Sequence, residues 1–316
     1  MQIAALAGGI GASKLLLGFN RVMDPCELTV VVNTGDDIVL HGLSISPDLD
    51  IVTYTLAGQV NPETGWGFRD ETFRALGQLA AYRGSQWFNL GDRDLATHIH
   101  RTAMLRAGLP LSEVADSIRK ALGVQARILP MCDQPVPTMI ETGEGRLHFQ
   151  EYLVQRRAEP TVQAISFDGI DRARPAPGVL EALEGARTIV ICPSNPLISI
   201  GPILAVPGVR KLLQERRRYV VGVCPIVAGQ SLKGPSDRML AQLGYEVSAL
   251  GVARMYQDIC GTIVIDPVDK GQRQAIEALG MGVILYPTVM RNVEDKEELA
   301  RQILQLGAAQ KAEASA

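Results

Sequence analysis

Four carboxylates, Asp36, Asp37, Asp48 and Asp50, fall within fifteen residues of the chain. Gathered in one place they repel, and a hard cation such as Mg²⁺ relieves that repulsion, above all where phosphate oxygens complete its coordination shell. The spacing therefore points to a magnesium-diphosphate site formed by Asn33-Thr34-Gly35-Asp36-Asp37 and Ser46-Pro47-Asp48-Leu49-Asp50. A plainer reading stays open beside it. Asp36-Asp37 can close an ordinary Asn- and Gly-rich turn, Pro47-Asp48 can open another, and Asp50 can cap the helix that follows.

A place for the phosphates lies near the start of the chain, where apolar residues run into Gly8-Gly9-Ile10-Gly11-Ala12-Ser13-Lys14. Strand, glycine turn and helix in that order form an anion cradle, because free N–H groups and the positive helix end face whatever the glycines let close. The turn fits neither the Walker A spacing nor the dinucleotide fingerprint, which would need glycine at position 14. Tight packing of helix on strand would account for the glycines as well. Farther along, Arg93 sits between Asp92 and Asp94 and is a candidate clamp for a planar or anionic substrate. Asp94 reads as a helix N-cap. His98 and His100 are two apart, so they point to different faces and do not form a zinc pair. Trp66 and Trp87 suit packing or stacking on an aromatic ligand. Met131-Cys132-Asp133 and His148-Phe149-Gln150 are further segments that could line the same cleft.

These residues need elements to hold them. Apolar, β-branched runs recur at 3–6, 28–32, 188–192, 219–223, 246–250, 262–265 and 283–286, and helical patterns at 202–217, 236–243, 272–279 and 296–306. Such alternation predicts an α/β fold, Rossmann-like and three-layered, with a mostly parallel sheet between helices. Helical patterns at 70–82, 94–107 and 111–122 form an inserted, mostly helical lobe at about 54–122, within a single domain spanning 1–310. Hairpin-like segments at 138–140 and 147–154 surround Gly143-Glu144-Gly145, and 311–316 reads as a frayed tail. In an open parallel sheet ligands bind beyond the carboxyl ends of the strands. The glycine turn, the Asp36 segment and Pro193-Ser194-Asn195-Pro196 should thus converge on one crevice.

Composition narrows the partners. With 31 Lys and Arg against 34 Asp and Glu, the net charge is −3 and no basic stripe is present, which argues against nucleic acid. Arg216-Arg217-Arg218 ends a helical stretch, where cations suit the dipole. The five cysteines are scattered and form no CxxC pair, so neither a disulfide framework nor a structural zinc site is expected. No leader pattern and no apolar run of the roughly 18 residues that span a bilayer is present. A cytoplasmic protein without membrane association is expected.

With these residues in view the chain resembles the 2-phospho-L-lactate transferases, which build the deazaflavin coenzyme F-420. The likeness rests on Gly8-Gly9-Ile10-Gly11, Val32-Asn33-Thr34-Gly35-Asp36-Asp37, Ser46-Pro47-Asp48-Leu49-Asp50 and Leu90-Gly91-Asp92-Arg93-Asp94-Leu95-Ala96-Thr97-His98. It continues through His148-Phe149-Gln150, Pro193-Ser194-Asn195-Pro196 and 223–228, in order, to about Val289. The resemblance implies a GMP-releasing transfer. The terminal ribityl hydroxyl of the deazaflavin Fo attacks the phosphorus next to the three-carbon acid of a lactyl-diphospho-guanosine. It also implies that Gly8, Gly9, Gly11, Ala12 and Ser13, with Ser194 and Asn195, hold the guanosine diphosphate, and that Asp36 and Asp48, with Asp37 as a further candidate, bind Mg²⁺. Asp50 and Arg93 correspond to Fo contacts, and Asp50 is the candidate for orienting or deprotonating the hydroxyl. The resemblance also implies a homodimer. Gly11-Ala12-Ser13-Lys14 differs from the Thr-Gly-Thr-Pro-Lys of archaeal relatives, and Asn33–Asp37 follows the bacterial branch, in which an enolpyruvyl group can replace the lactyl one. A related group of nucleotide-sugar-binding regulators shares the glycine-rich start without turnover. A nicotinamide dehydrogenase fits less, since the fingerprint fails at Lys14.

Overall fold

Ile3–Ala7 (β1) and Leu28–Val32 (β2) are almost entirely buried, as strands covered on both faces must be. In the computed structural model, which describes residues 2–84 and 86–314, they pair in parallel with Leu6 opposite Val31. Arg127–Pro130 (β3), Thr188–Ile191 (β4), Val220–Val223 (β5), Thr262–Ile265 (β6) and Gly282–Leu285 (β7) complete one sheet in the order β7-β6-β5-β4-β1-β2-β3. Every pairing in it is parallel. The α/β fold with helices on both faces of a parallel sheet is the one expected.

Alternate residues of β1 feed two cores. Ala4 and Leu6 join Ile191, Ile203, Val252 and Ile263 on one face, while Ile3, Ala5 and Ala7 join Leu15, Phe19, Val52 and Leu299 on the other. The second face is covered by Gly9–Val22 (α1), Pro47–Leu56 (α2) and the C-terminal helix Val293–Ala314. A Cβ on Gly18 would lie 2.1 Å from the Lys296 carbonyl oxygen, so α1 and the C-terminal helix approach closely only because that side chain is missing. From β1 the chain winds outward to β2 and β3, then returns to β4 on the other side and winds away through β7. The two loops leaving β1 and β4 diverge at this reversal. There a crevice opens at the carboxyl edge of the sheet.

Between β2 and β3 lie the hairpin Ile38–Leu40 with Leu43–Ile45, then Arg74–Arg83 (α3), Asp92–Arg106 (α4) and Leu111–Ala121 (α5). A three-stranded antiparallel sheet of Gly145–His148, Thr138–Thr142 and Val162–Phe167 follows β3. No helix of the described residues is long and apolar enough to cross a membrane.

Some elements differ from those read in the sequence. The strand expected at 246–250 is instead the start of a helix, Ala249–Tyr256, because Ser248 Oγ accepts the Gly251 N–H at 2.9 Å and caps it. The helix expected at 202–217 breaks into Ile200–Ala205 and Val209–Glu215, with Pro207 and a left-handed Gly208 between them. The second hairpin strand stops at His148, and Glu151–Gln155 coils as a π-helical turn. Residues 315 and 316 of the expected tail lie outside the described residues.

Candidate active site

A cavity of about 670 Å³ occupies the crevice. The turn after β1 contributes Gly8 and the first turn of α1 contributes Gly9 and Gly11, the loop after β2 contributes Asp36, and the loop after β4 contributes Ser194 and Asn195. Helix α2 adds Asp48 and Asp50, because Pro47 at its first position starts the helix right at the cavity. The two aspartates are in its first turn, where the dipole favours them. Neither Asp48 nor Asp50 acts as a side-chain cap of α2, so the capping alternative falls away.

Asn33, wholly buried after β2, ties two of the carboxylates together. Its Nδ2 donates to Asp36 Oδ1 and to Asp48 Oδ2, each at 2.9 Å. Gln150 Nε2 donates to Asp36 Oδ2 at 3.2 Å, and the Gly9 N–H donates to Asp48 Oδ1 at 2.7 Å. Burial, and then the neighbouring Asp48 charge, push the Asp36 carboxyl well above its usual range. Burial likewise pushes Asp48 up to about 6, against the hydrogen bonds from Asn33 and Gly9. Two buried carboxylates lining a cavity, both driven toward protonation by burial and Asp36 also by the Asp48 charge, are a donor set that suits a divalent cation. Asp37 does not line the cavity. Its Oδ2 accepts the Ser46 hydroxyl at 2.8 Å, and its Oδ1 is buried without a partner.

Asp50 belongs to a second network. Its Oδ1 is paired with the Arg101 guanidinium, whereas its Oδ2 is buried without a hydrogen-bond partner. Burial raises its pKa, opposed chiefly by the Arg101 charge. His98 Nδ1 lies 3.8 Å from Asp50 Oδ2 and its Nε2 lies 3.4 Å from Asp94 Oδ2, while Tyr54 donates its hydroxyl to Asp94 Oδ1 at 2.7 Å. Among the described residues, Asp50, Asp94 and His98 are the one group of three side chains of metal-ligating type whose ligand atoms lie within 4.8 Å of one another. Arg101 already supplies the positive charge there. His98 faces inward and His100 outward toward Ser117, as their spacing predicts.

The glycine turn serves packing and cavity together. A Cβ on Gly8 would lie 2.6 Å from Asp48 Oδ2, and one on Gly11 would lie 2.2 Å from the Pro193 carbonyl oxygen. Gly11→Ala is expected to force these loops apart and to destabilise the fold by about 1–3 kcal/mol, read as a lowered thermal midpoint; an unchanged midpoint would show that the loops yield freely. Ser194 Oγ donates to the Gly8 carbonyl at 2.8 Å, and Asn195 Oδ1 accepts the Leu197 N–H at 2.9 Å, so both also shape the rim. Ala12 and Ser13 do not line the cavity. Both are buried, and the Ser13 hydroxyl donates to the Ile10 carbonyl.

Arg93 also lies off the cavity. It stacks 4.6 Å from the centre of the Phe68 ring and donates to the Arg69 carbonyl and Gln59 Oε1. Phe68 in turn rests on Tyr54 at 4.0 Å, and Tyr54 lines the cavity, so Arg93 backs the wall instead of forming it. Asp94 is not the cap of α4, which begins two residues earlier after Gly91. The capping carboxylate is Asp92, whose oxygens accept the Arg74 and Ala75 N–H groups at the start of α3. Trp66 lines the cavity, and Trp87 packs edge-on against Phe88, which does. Phe149 and Gln150 line it too; Met131, Cys132 and Asp133 do not.

Sequence reasoning missed Arg101, Lys233 and Arg291, and gave no individual role to Lys14 and Asn33, although both lie in segments that it singled out. Lys14, Lys233 and Arg291 all line the cavity, and Lys14 Nζ donates to the Met290 carbonyl at 3.2 Å. Burial first, and then Lys233 and Lys296, lower the Lys14 pKa. A cavity that gathers cations beside a helix N-terminus and buried carboxylates beside an apolar wall can hold a polyanion and an uncharged hydroxyl donor together.

A family profile described as 2-phospho-L-lactate transferase CofD matches residues 3–280. The chain is 47% identical over 312 residues to a protein of Streptomyces griseus named phosphoenolpyruvate transferase, covering 97% of this chain and 98% of that one. It is 40% identical over 299 residues to a 2-phospho-L-lactate transferase of Methanosarcina mazei, covering 95% and 98%. A Bacillus halodurans protein described as a member of the UPF0052 family superposes with a TM-score of 0.65 over 96% of this chain and 98% of its own. At 19% identity that likeness is one of fold.

Proposed function

This chain belongs to the 2-phospho-L-lactate transferase CofD family, and from that premise we propose that it transfers a phosphoenolpyruvyl group from enolpyruvyl-diphospho-guanosine to the terminal ribityl hydroxyl of Fo. GMP leaves, and the product is the dehydro form of the coenzyme F-420 precursor that carries no glutamate. The enolpyruvyl donor is preferred over the lactyl one because the relative named phosphoenolpyruvate transferase is 47% identical, against 40% for the one named 2-phospho-L-lactate transferase. The observation that carries the reading is Asp50, a cavity carboxylate with one oxygen locked by Arg101 and the other buried without a partner.

Asp50 Oδ2 accepts the proton of the ribityl hydroxyl as its oxygen bonds to the phosphorus nearer the three-carbon acid. The bond from that phosphorus to the bridging oxygen breaks, and GMP departs with the electron pair. Burial, which raises the Asp50 pKa, makes the carboxylate a better base. Lys14, Arg291 and the first turn of α1 hold the diphosphate in line. Tyr54, Trp66 and Phe88 offer the deazaflavin an aromatic wall. Asp36 and Asp48 would hold Mg²⁺, which supplies charge neutralisation on the diphosphate.

The metal assignment has a pH signature. Asp48 rises from about 4 in the unfolded chain to about 6 in the fold. A carboxyl raised on folding contributes its stability fully below the unfolded value, and that contribution is lost as pH rises through the folded one. Metal-free protein should therefore lose stability between about pH 4 and 6 on account of this group. Mg²⁺ binds the ionised form, so it should raise the thermal midpoint more at about pH 7.5 than at about pH 5. Equal shifts at the two values would separate the metal from this pair.

The reaction itself is tested by incubating the protein with Fo, Mg²⁺ and each diphospho-guanosine donor and following GMP and the deazaflavin product by mass. Product with the enolpyruvyl donor supports the full reading, and product with the lactyl donor alone would change the three-carbon acid. Absence of product with both, together with absence of Fo binding, would overturn the reading in favour of a nucleotide-sugar-binding regulator.

A further inference from the structure

Arg101 is the largest fully buried side chain among the described residues, 2% exposed on α4. A buried guanidinium is costly unless its donors are matched, so the use made of each N–H is informative. Its Nη2 is paired with Asp50 Oδ1 across on α2, and its Nη1 lies 3.1 Å from His98 Nδ1 and 3.4 Å from the Ser44 carbonyl oxygen. Guanidinium has no acceptor, so it donates to both partners. Nδ1 of His98 is thereby the acceptor, and the imidazole proton sits on Nε2, facing Asp94 Oδ2 at 3.4 Å. Asp94 is steadied in turn by the Tyr54 hydroxyl.

A guanidinium serving only to neutralise a buried carboxylate would take both its oxygens in a fork. Here the fork is split between two residues, and Asp50 Oδ2 is the oxygen left over. We infer that Arg101 is the positioning residue of the acceptor half-site: by holding Asp50 Oδ1 and fixing the His98 tautomer, it leaves Asp50 Oδ2 as the one oxygen free to take the hydroxyl of the acceptor. The inference rests on the proposed role of Asp50. Lysine carries its three donors on one nitrogen and lacks the rigid planar fork that spans the carboxylate and the imidazole, so charge alone will not replace the fork.

The test compares Arg101→Lys and Arg101→Ala with the unaltered enzyme, measuring kcat and the KM of each substrate separately, with GMP-induced thermal shift as the check on folding and nucleotide binding. Arg101→Lys is expected to lose about 100-fold in kcat with the donor KM and the thermal shift unchanged. Arg101→Ala is expected to lose more and to regain at least about tenfold when guanidinium ion is supplied at concentrations below denaturation. Arg101→Lys with unaltered kcat, or a folded Arg101→Ala that guanidinium does not rescue, would overturn the positioning role. If Arg101→Ala does not fold, the kcat of Arg101→Lys decides. Failure of the unaltered enzyme to use Fo would overturn the transferase reading itself, which keeps the two failures distinct.

Discussion

Asp50→Asn is expected to lower kcat by about 10³-fold or more while leaving guanosine nucleotide binding within a few-fold of the unaltered protein. The asparagine keeps an oxygen for Arg101 but cannot take a proton, so the loss falls on the chemical step. The fold will not be untouched. Asp50 offsets a buried guanidinium, and removing one partner of such a pair costs about 3–5 kcal/mol, less the hydrogen bond that asparagine retains. A lower thermal midpoint is thus expected from the ion pair and says nothing for helix capping, which Asp50 does not perform. The double variant Asp50→Asn, Arg101→Met separates the two effects. It removes both charges, so stability should recover toward the unaltered value while activity stays lost. Single-turnover rates measured well below either midpoint provide the check, and a single variant with more than about a tenth of the original rate would remove Asp50 as the base.

The central sheet was legible because strands buried on both faces are continuous apolar runs, and the runs at 28–32, 188–192 and 262–265 lie on β2, β4 and β6. Strand β3 was not. Its Arg127-Ile128-Leu129-Pro130 has two apolar residues before a proline, a pattern that resembles a loop and is tolerated because β3 is at the sheet edge. Within the site, Asp36, Asp48 and Asp50 stood out because they are neighbours in sequence as well as in space. Gln150 and Arg101 act through partners that the chain brings from a distance: Gln150 meets Asp36 across 114 residues, and Arg101 meets Asp50 across 51. No local period encodes such contacts. Arg93 shows the converse, since its place between two acids suggested a clamp, yet the adjacent aromatic ring claims its guanidinium.

Lys14 was visible from the start, at the end of the glycine-turn segment and as the residue that spoils a dinucleotide fingerprint, but without a role of its own. Its position in α1 carries the ammonium past the glycine turn to the cavity, where it meets Lys233 and the Met290 carbonyl. Burial and neighbouring cations make its charge unfavourable in the empty protein, and a bound diphosphate reverses that balance. Lys14→Met should therefore act in opposite directions on stability and function. The thermal midpoint of the ligand-free protein should stay level or rise, because an ammonium kept charged at a cost gives way to an apolar chain of similar length. Turnover should fall: loss of a charge-assisted contact to phosphate costs about 2–4 kcal/mol, or roughly 30- to 1000-fold in kcat/KM for the donor, with the KM for Fo little changed. Paired thermal and kinetic measurements check both signs. A variant that lost stability and activity together would make Lys14 a packing residue, and the phosphate cradle would then rest on the first turn of α1 and Arg291.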